Sequence, residues 1–234
     1  MTENLPAYVS ITFILTTFLT VGFLLHAVRR SVFDTIPAKT LIGVIAFWLL
    51  FQAVMAMGGF YALDRSFPPR IMLFGVFPAV LLIATYFLLY RKNFIERLPL
   101  RILTLLHVIR IPVEIVLLWL FQGGLVPEVM TLEGRNFDIL SGLTAPIIAW
   151  IAFRDGKANR AVLIVWNLLA LGLLANIVAI ALLSVPAPIQ RFGFEQPNIA
   201  ILYFPFNWLP TVVVPIVLFS HLAALWKLAV KKTG

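Results

Sequence analysis

The amino-acid sequence predicts an all-α membrane protein, a seven-transmembrane helix bundle that runs from an outside N-terminus to an inside C-terminus. Three observations carry that expectation. Hydrophobic residues fill 62% of the 234 positions and charged residues only 12%, about half the ~25% charge of a soluble domain; the mean hydropathy is +1.01. Apolar runs long enough to cross a ~30 Å hydrocarbon core recur along the whole chain. The basic residues, which set a formal net charge of +8, gather in alternate loops.

The expected spans are 6–28, 41–62, 70–90, 102–121, 137–153, 161–184 and 202–226, in one polytopic domain over residues 1–234. Span one follows the leader MTENLP, which has an acid and no base, and the positive charges come after the span. It therefore reads as a retained anchor and not as a cleaved signal. Arg29, Arg30 and Lys39 follow span one, and Arg91, Lys92, Arg97 and Arg101 separate spans three and four. Arg154, Lys157 and Arg160 separate five and six, and Lys227, Lys231 and Lys232 end the chain. That is thirteen of the 18 Lys and Arg; the opposite loops hold Arg65, Arg70, Arg135 and Arg191, and Arg110 lies inside span four. The positive-inside rule turns this bias into the N-out, C-in topology. It also accounts for the basic charge without a nucleic-acid partner, and makes the lipid bilayer the main environment, with a bacterial inner (plasma) membrane as the expected location. The absence of cysteine excludes disulfides, thiolate metal sites and cysteine nucleophiles.

Span three carries FGVFPAVLLI from Phe74 and span seven FNWLPTVVVP from Phe206, each a Phe-x-x-x-Pro followed by aliphatic residues. AFWLLF of span two matches VWNLLA of span six through Trp48 and Trp166. The two pairings need an insertion in the second half, which the loop 185–201 can hold. A 3+1+3 internal repeat about span four follows as an expectation. This plan resembles the layout of SWEET-type sugar carriers and related small-solute carriers. The chain has no Pro-Gln motif of the kind found in the PQ-loop group, so no binding residue carries over from that resemblance.

Span four departs from its apolar surroundings. Thr104, His107, Arg110 and Glu114 are spaced three, three and four residues apart and so share one helix face. Arg110 and Glu114 bracket the bilayer middle, where a charge costs about 2.5–3.5 kcal/mol on insertion scales. The stripe must face protein or water, and a pairing of the two charges one turn apart is expected. Arg before Glu is the weaker order for such a pair, which points to partners on other helices as well. Pro112 frees the carbonyl of Val108 from its helical donor.

After span four, Pro127 suits the first position of a helix and Gly134 the residue after its end, so a short interfacial helix is expected over Pro127–Glu133. Span five then opens with Asn136 as its cap and Asp138 in its positive first turn. Ser141, Gly142, Thr144 and Pro146 make the next stretch polar and kinkable, the mouth of a pocket floored by Glu114 or a close-packing contact of small residues. In span six Asn167 and Asn176 are nine apart and lie on opposite faces, and with Gln52 and Ser220 they read as helix–helix hydrogen bonds. Asn207, between Pro205 and Pro210 of span seven, sits where regular helix bonding is interrupted, and transporters place binding sites at such breaks.

The chain has three histidines, His26, His107 and His221, each in the inner half of its span. Together they suit zinc with an open water position, and two of them suit haem ligation, although no linear metal motif is present. The leading expectation is a non-enzymatic small-solute carrier or proton-coupled transporter that needs no cofactor. In it Glu114 titrates, Arg110 is the countercharge or anion clamp, His107 relays protons, and Asp138 and Asn207 stand near the outer entry. Beside it stand a membrane-embedded zinc or haem enzyme using the three histidines, and a non-catalytic subunit or assembly factor whose polar helix face docks a membrane-protein partner or a second copy.

Overall fold

The structure, a computed structural model, describes residues 5–62, 67–154 and 156–230. Arg65, Lys231 and Lys232 of the charge pattern, and the first four residues of the leader, lie outside the described residues. Among those described the regular structure is helical throughout. Six helices are long and apolar enough to cross a membrane: α1 (Ala7–Arg29), α2 (Ile36–Met57), α3 (Met72–Leu89), α4 (Leu100–Gln122), α6 (Arg160–Leu183) and α7 (Leu209–Ala229). Their outward residues, such as Ile11, Leu15, Phe47, Leu50, Leu88 and Leu169, are exposed and apolar, the surface that a bilayer covers. Local signals set the ends. Pro37 occupies the first turn of α2, which therefore starts earlier than the apolar run suggests. The Asn159 side chain accepts from the Val162 N–H (3.2 Å) and caps α6.

α4 and α7 form the centre, with 56% and 61% of their apolar stretches buried against 17% for α3. α4 packs on α1 and α7, and α7 packs on α1, α3 and α6. At one end of the bundle Trp226 donates to Glu96 and Lys227 to the carbonyl of Leu98. Arg160 reaches the carbonyl of Leu228 at that same end. At the other end Gln196 donates to the carbonyls of Phe121 (2.8 Å) and Val126 (2.6 Å), closing the loop 184–208 over the top of α4.

Two prolines shape α3 and α7 alike. Each helix begins with a π turn, Met72–Val76 and Leu209–Val213, and each turn is followed by a proline in the next turn, Pro78 and Pro215. A proline inside a helix deprives the carbonyl four residues back of its donor, here Phe74 and Thr211. α2 supplies both replacements: Gln52 Nε2 donates to Phe74 O and Trp48 Nε1 to Thr211 O, each at 2.9 Å. The two π turns cross where a Cβ on Gly75 would come within 2.5 Å of Thr211 Cγ2, so only glycine lets them meet. The paired prolines are thus Pro78 and Pro215, whereas the sequence motif aligns Pro78 with Pro210. α7 also starts later than residue 202, because Ala200–Leu202 is a 3-10 turn and Pro205 and Asn207 lie in turns before the helix.

The expected fifth span, 137–153, is a helix that does not reach across by itself. Its helix, α5 (Ile139–Phe153), has 15 residues, about 22 Å at 1.5 Å per residue, short of a ~30 Å core. Gly142 in its first turn lies against the middle of α4: a Cβ there would come within 2.9 Å of Ile111 Cγ1 and 3.3 Å of His107 O. The helix therefore starts at mid-depth, and the preceding segment descends into the bundle to reach it. Leu125, Val126, Met130, Thr131 and Asn136 in that segment are all buried. The interfacial helix expected over Pro127–Glu133 is only a 3-10 turn, Glu128–Met130. Thr131 N bonds back to Glu128 O and Asn136 N to Thr131 O, which folds the chain inward instead of laying a helix on the face. Irregular backbone at membrane depth is tolerated where protein buries it, as here.

Candidate functional site

The mid-depth start of α5 brings the polar residues of four segments together. α4 itself breaks there, into a 3-10 turn over His107–Ile109 ahead of Pro112, and the carbonyls of His107 and Val108 accept backbone N–H groups in that tighter turn. The carbonyl that Pro112 was expected to free is thereby satisfied locally. The whole stripe is internal: Thr104, His107, Arg110 and Glu114 are buried, the last two at 2% and 5% exposure.

Arg110 does not pair with Glu114. Its Nη1 donates to Asp138 Oδ1 at 2.6 Å and to the carbonyl of Ala170 at 3.1 Å, and its Nη2 lies 2.8 Å from His221 Nε2. The physical reason is reach and geometry: the α5 N-terminus presents Asp138 across the helix interface, and the within-helix order was the weaker one. A guanidinium only donates, so His221 Nε2 accepts and Nδ1 carries the hydrogen. That hydrogen points to Asn167 Oδ1, 2.8 Å away, while Asn167 Nδ2 donates to Leu163 O. The bonds thus run outward from Arg110 on both sides, to Asp138 on one and through His221 and Asn167 to Leu163 on the other.

Glu114 is held separately. Asn136 donates to Glu114 Oε1 and to the carbonyl of Met130 (3.1 Å), and its own Oδ1 accepts the Asp138 N–H (3.1 Å). The N-cap position is therefore Asp138 and not Asn136 as expected: Asn136 folds the chain two residues earlier, and Asp138 lies before the first turn, makes no side-chain cap bond and turns its carboxylate to Arg110. Among the described residues Glu114 Oε2 has no hydrogen-bond partner. Glu114 and Asp138 both stand on the wall of a cavity of about 140 Å³, with Asn198 as the third polar residue and Leu117, Leu174 and Ile201 among the apolar ones. One buried cation faces two buried carboxylates, so a charged Glu114 would leave the set one positive charge short.

The three histidines do not gather. His107 and His221 stack with ring centroids 3.9 Å apart, and the edge of Trp166 meets His107 at 5.3 Å. His26 is exposed on α1, and among the described residues no three His, Asp or Glu side chains are placed to hold a metal ion. Asn207 also lies apart from the cluster: its amide donates to the carbonyl of Gln52 (2.9 Å), and its backbone carbonyl accepts from Thr211. Asn176 faces away from Asn167 as its spacing requires and donates to Arg135 O. Four residues join the site that were read otherwise in the sequence: Asn136 as a cap, Asn167 as a packing bond, His221 as a metal ligand, and Asn198, which carried no signal in its loop.

The stripe is buried against helices of its own chain. A family model described as "Domain of unknown function (DUF8737)" matches residues 67–229, a segment that contains every member of this cluster. No curated protein and no solved structure matches the chain.

Proposed function

The chain belongs to the DUF8737 family, and from that premise we propose that it is a proton-coupled small-solute carrier whose site is the Glu114 cavity. One observation carries the reading: a buried carboxylate, held through one oxygen by Asn136, keeps the other unpaired on the wall of a cavity at mid-depth. Ionisable groups at that depth are costly and mark ion or solute paths. Broken helices whose ends meet at the midplane are where many carriers bind their cargo, and α5 starts there. In this reading Arg110 and Asp138 are a fixed pair that anchors the site, and Glu114 exchanges a proton or a cationic solute. The basic loops face inward and the cavity end of the bundle faces outward, in a plasma membrane.

The test is solute-driven proton movement in proteoliposomes that enclose a pH-sensitive dye. Amino acids, sugars, organic acids and alkylamines are added one class at a time. One class is expected to give a saturable internal pH change that Glu114→Gln abolishes and Glu133→Gln, on the connecting loop, leaves intact. A flat response to every class, or a response unchanged in Glu114→Gln, would sink the reading.

A further inference from the structure

The wall of the cavity restricts what can occupy it. Its volume of about 140 Å³ is close to that of an apolar cavity that holds a benzene ring, ~150 Å³. Only Glu114, Asp138 and Asn198 among its lining residues are polar. Asp138 is engaged by Arg110 and the Asn198 amide nitrogen by the carbonyl of Ala181 (3.2 Å). Among the lining residues the buried atoms left without a partner are Glu114 Oε2 and Asn198 Oδ1, and both are oxygens that accept. A wall with free acceptors selects an occupant that donates. Because Glu114 has no ion-pair partner among the described residues, a donor that is also a cation balances its charge.

The way in is sideways. The cavity includes Met72 and Val76 of α3 and Val178 and Leu182 of α6, which are partly or fully exposed on the apolar flank of the bundle. An occupant arriving between those helices comes from the lipid and must itself be largely apolar.

We propose that the cavity binds an apolar amine of about phenethylamine size, which enters from the lipid between α3 and α6 and sets its ammonium on Glu114. This rests on the reading of the Glu114 cavity as the solute site. The amine has two sources, a free amphiphile or the head of an aminolipid, with the same donor chemistry.

The experiment is equilibrium binding of radiolabelled phenethylamine to the full chain in nanodiscs of phosphatidylcholine and phosphatidylglycerol, with no pH gradient. Saturable binding at one site per chain is expected. It should be about tenfold tighter than for 2-phenylethanol, since a charge-assisted hydrogen bond is roughly twice as strong as a neutral one. Glu114→Gln should weaken binding about tenfold. Val178→Trp, at the exposed rim and away from the hydrogen-bonded cluster, should block it while the melting temperature stays that of the parent. Competition by added phosphatidylethanolamine assigns the amine to a lipid head, and its absence assigns it to a free amphiphile. No saturable binding, equal binding of the alcohol, or unchanged binding in both variants overturns the proposal. Amine binding without any solute-driven pH change would sink the carrier reading alone, and such a pH change driven by another class, without amine binding, would sink only this one.

Discussion

Arg110 shows what a single residue costs and contributes in this setting. It is among the largest fully buried side chains, and desolvating it is repaid only through its bonds to Asp138, the Ala170 carbonyl and His221. Breaking a buried ion pair from one side typically costs about 3–5 kcal/mol, whereas replacing both partners by apolar residues is often neutral. Arg110→Met should therefore lower stability by about 3–5 kcal/mol, because Asp138 is left buried without its cation. Adding Asp138→Leu should recover most of that loss. Denaturant unfolding of the two variants in mild detergent measures both, and a double variant less stable than the single one would contradict the account. The residue scale is also where the sequence is half legible. The stripe from Thr104 to Glu114 could be read because helical period reports which residues share a face. Its partners could not, since Asn136, Asp138, Asn167 and His221 come from three other segments and periodicity within α4 carries no information about them.

At the scale of elements, α2 acts as a donor to two proline-broken helices. Trp48 Nε1 satisfies the Thr211 carbonyl that Pro215 leaves without a helical donor. Trp48→Phe should cost about 1 kcal/mol beyond its packing loss, within the range of membrane hydrogen bonds. In a Pro215→Ala background the helix can supply its own donor, so the same change should cost measurably less. A double-mutant cycle read by thermal unfolding gives this coupling directly; additive costs would mean that the bond does not compensate for the proline. The six long apolar helices were legible because long apolar runs depend on composition alone. The burial of the segment before α5 was not. Leu125, Val126 and Met130 bury irregular backbone with the same residue types that would bury a helix, and a count of apolar residues does not register how far each one rises. The same limit moved the expected binding break from Asn207 to the start of α5.

For the molecule as a whole, the geometry gives the bundle two ends, and the proposed orientation assigns a side to each. Arg160, Glu96, Leu98 and Leu228 meet at one end, and Gln196, Phe121 and Val126 meet at the other. Loops rich in Lys and Arg belong to the first end, so the proposed N-out, C-in orientation puts it on the cytoplasmic side. The chain has no cysteine, which makes single introduced cysteines clean reporters. Lys92→Cys and Lys157→Cys replace exposed residues of the first end's loops, and Glu195→Cys an exposed residue of the second. In intact cells a membrane-impermeant maleimide should label Glu195→Cys at once and the other two only after permeabilisation. The opposite pattern would reverse the bundle. Lys157 adds a separate check, because it lies between α5 and Arg160 at the first end: labelling together with Lys92 is expected, the buried segment and the 15-residue helix completing one crossing between them. Labelling together with Glu195 would put the turn between α5 and α6 at the second end, against the bond of Arg160 to the Leu228 carbonyl, and would overturn the placement of α5 on which the Glu114 cavity depends.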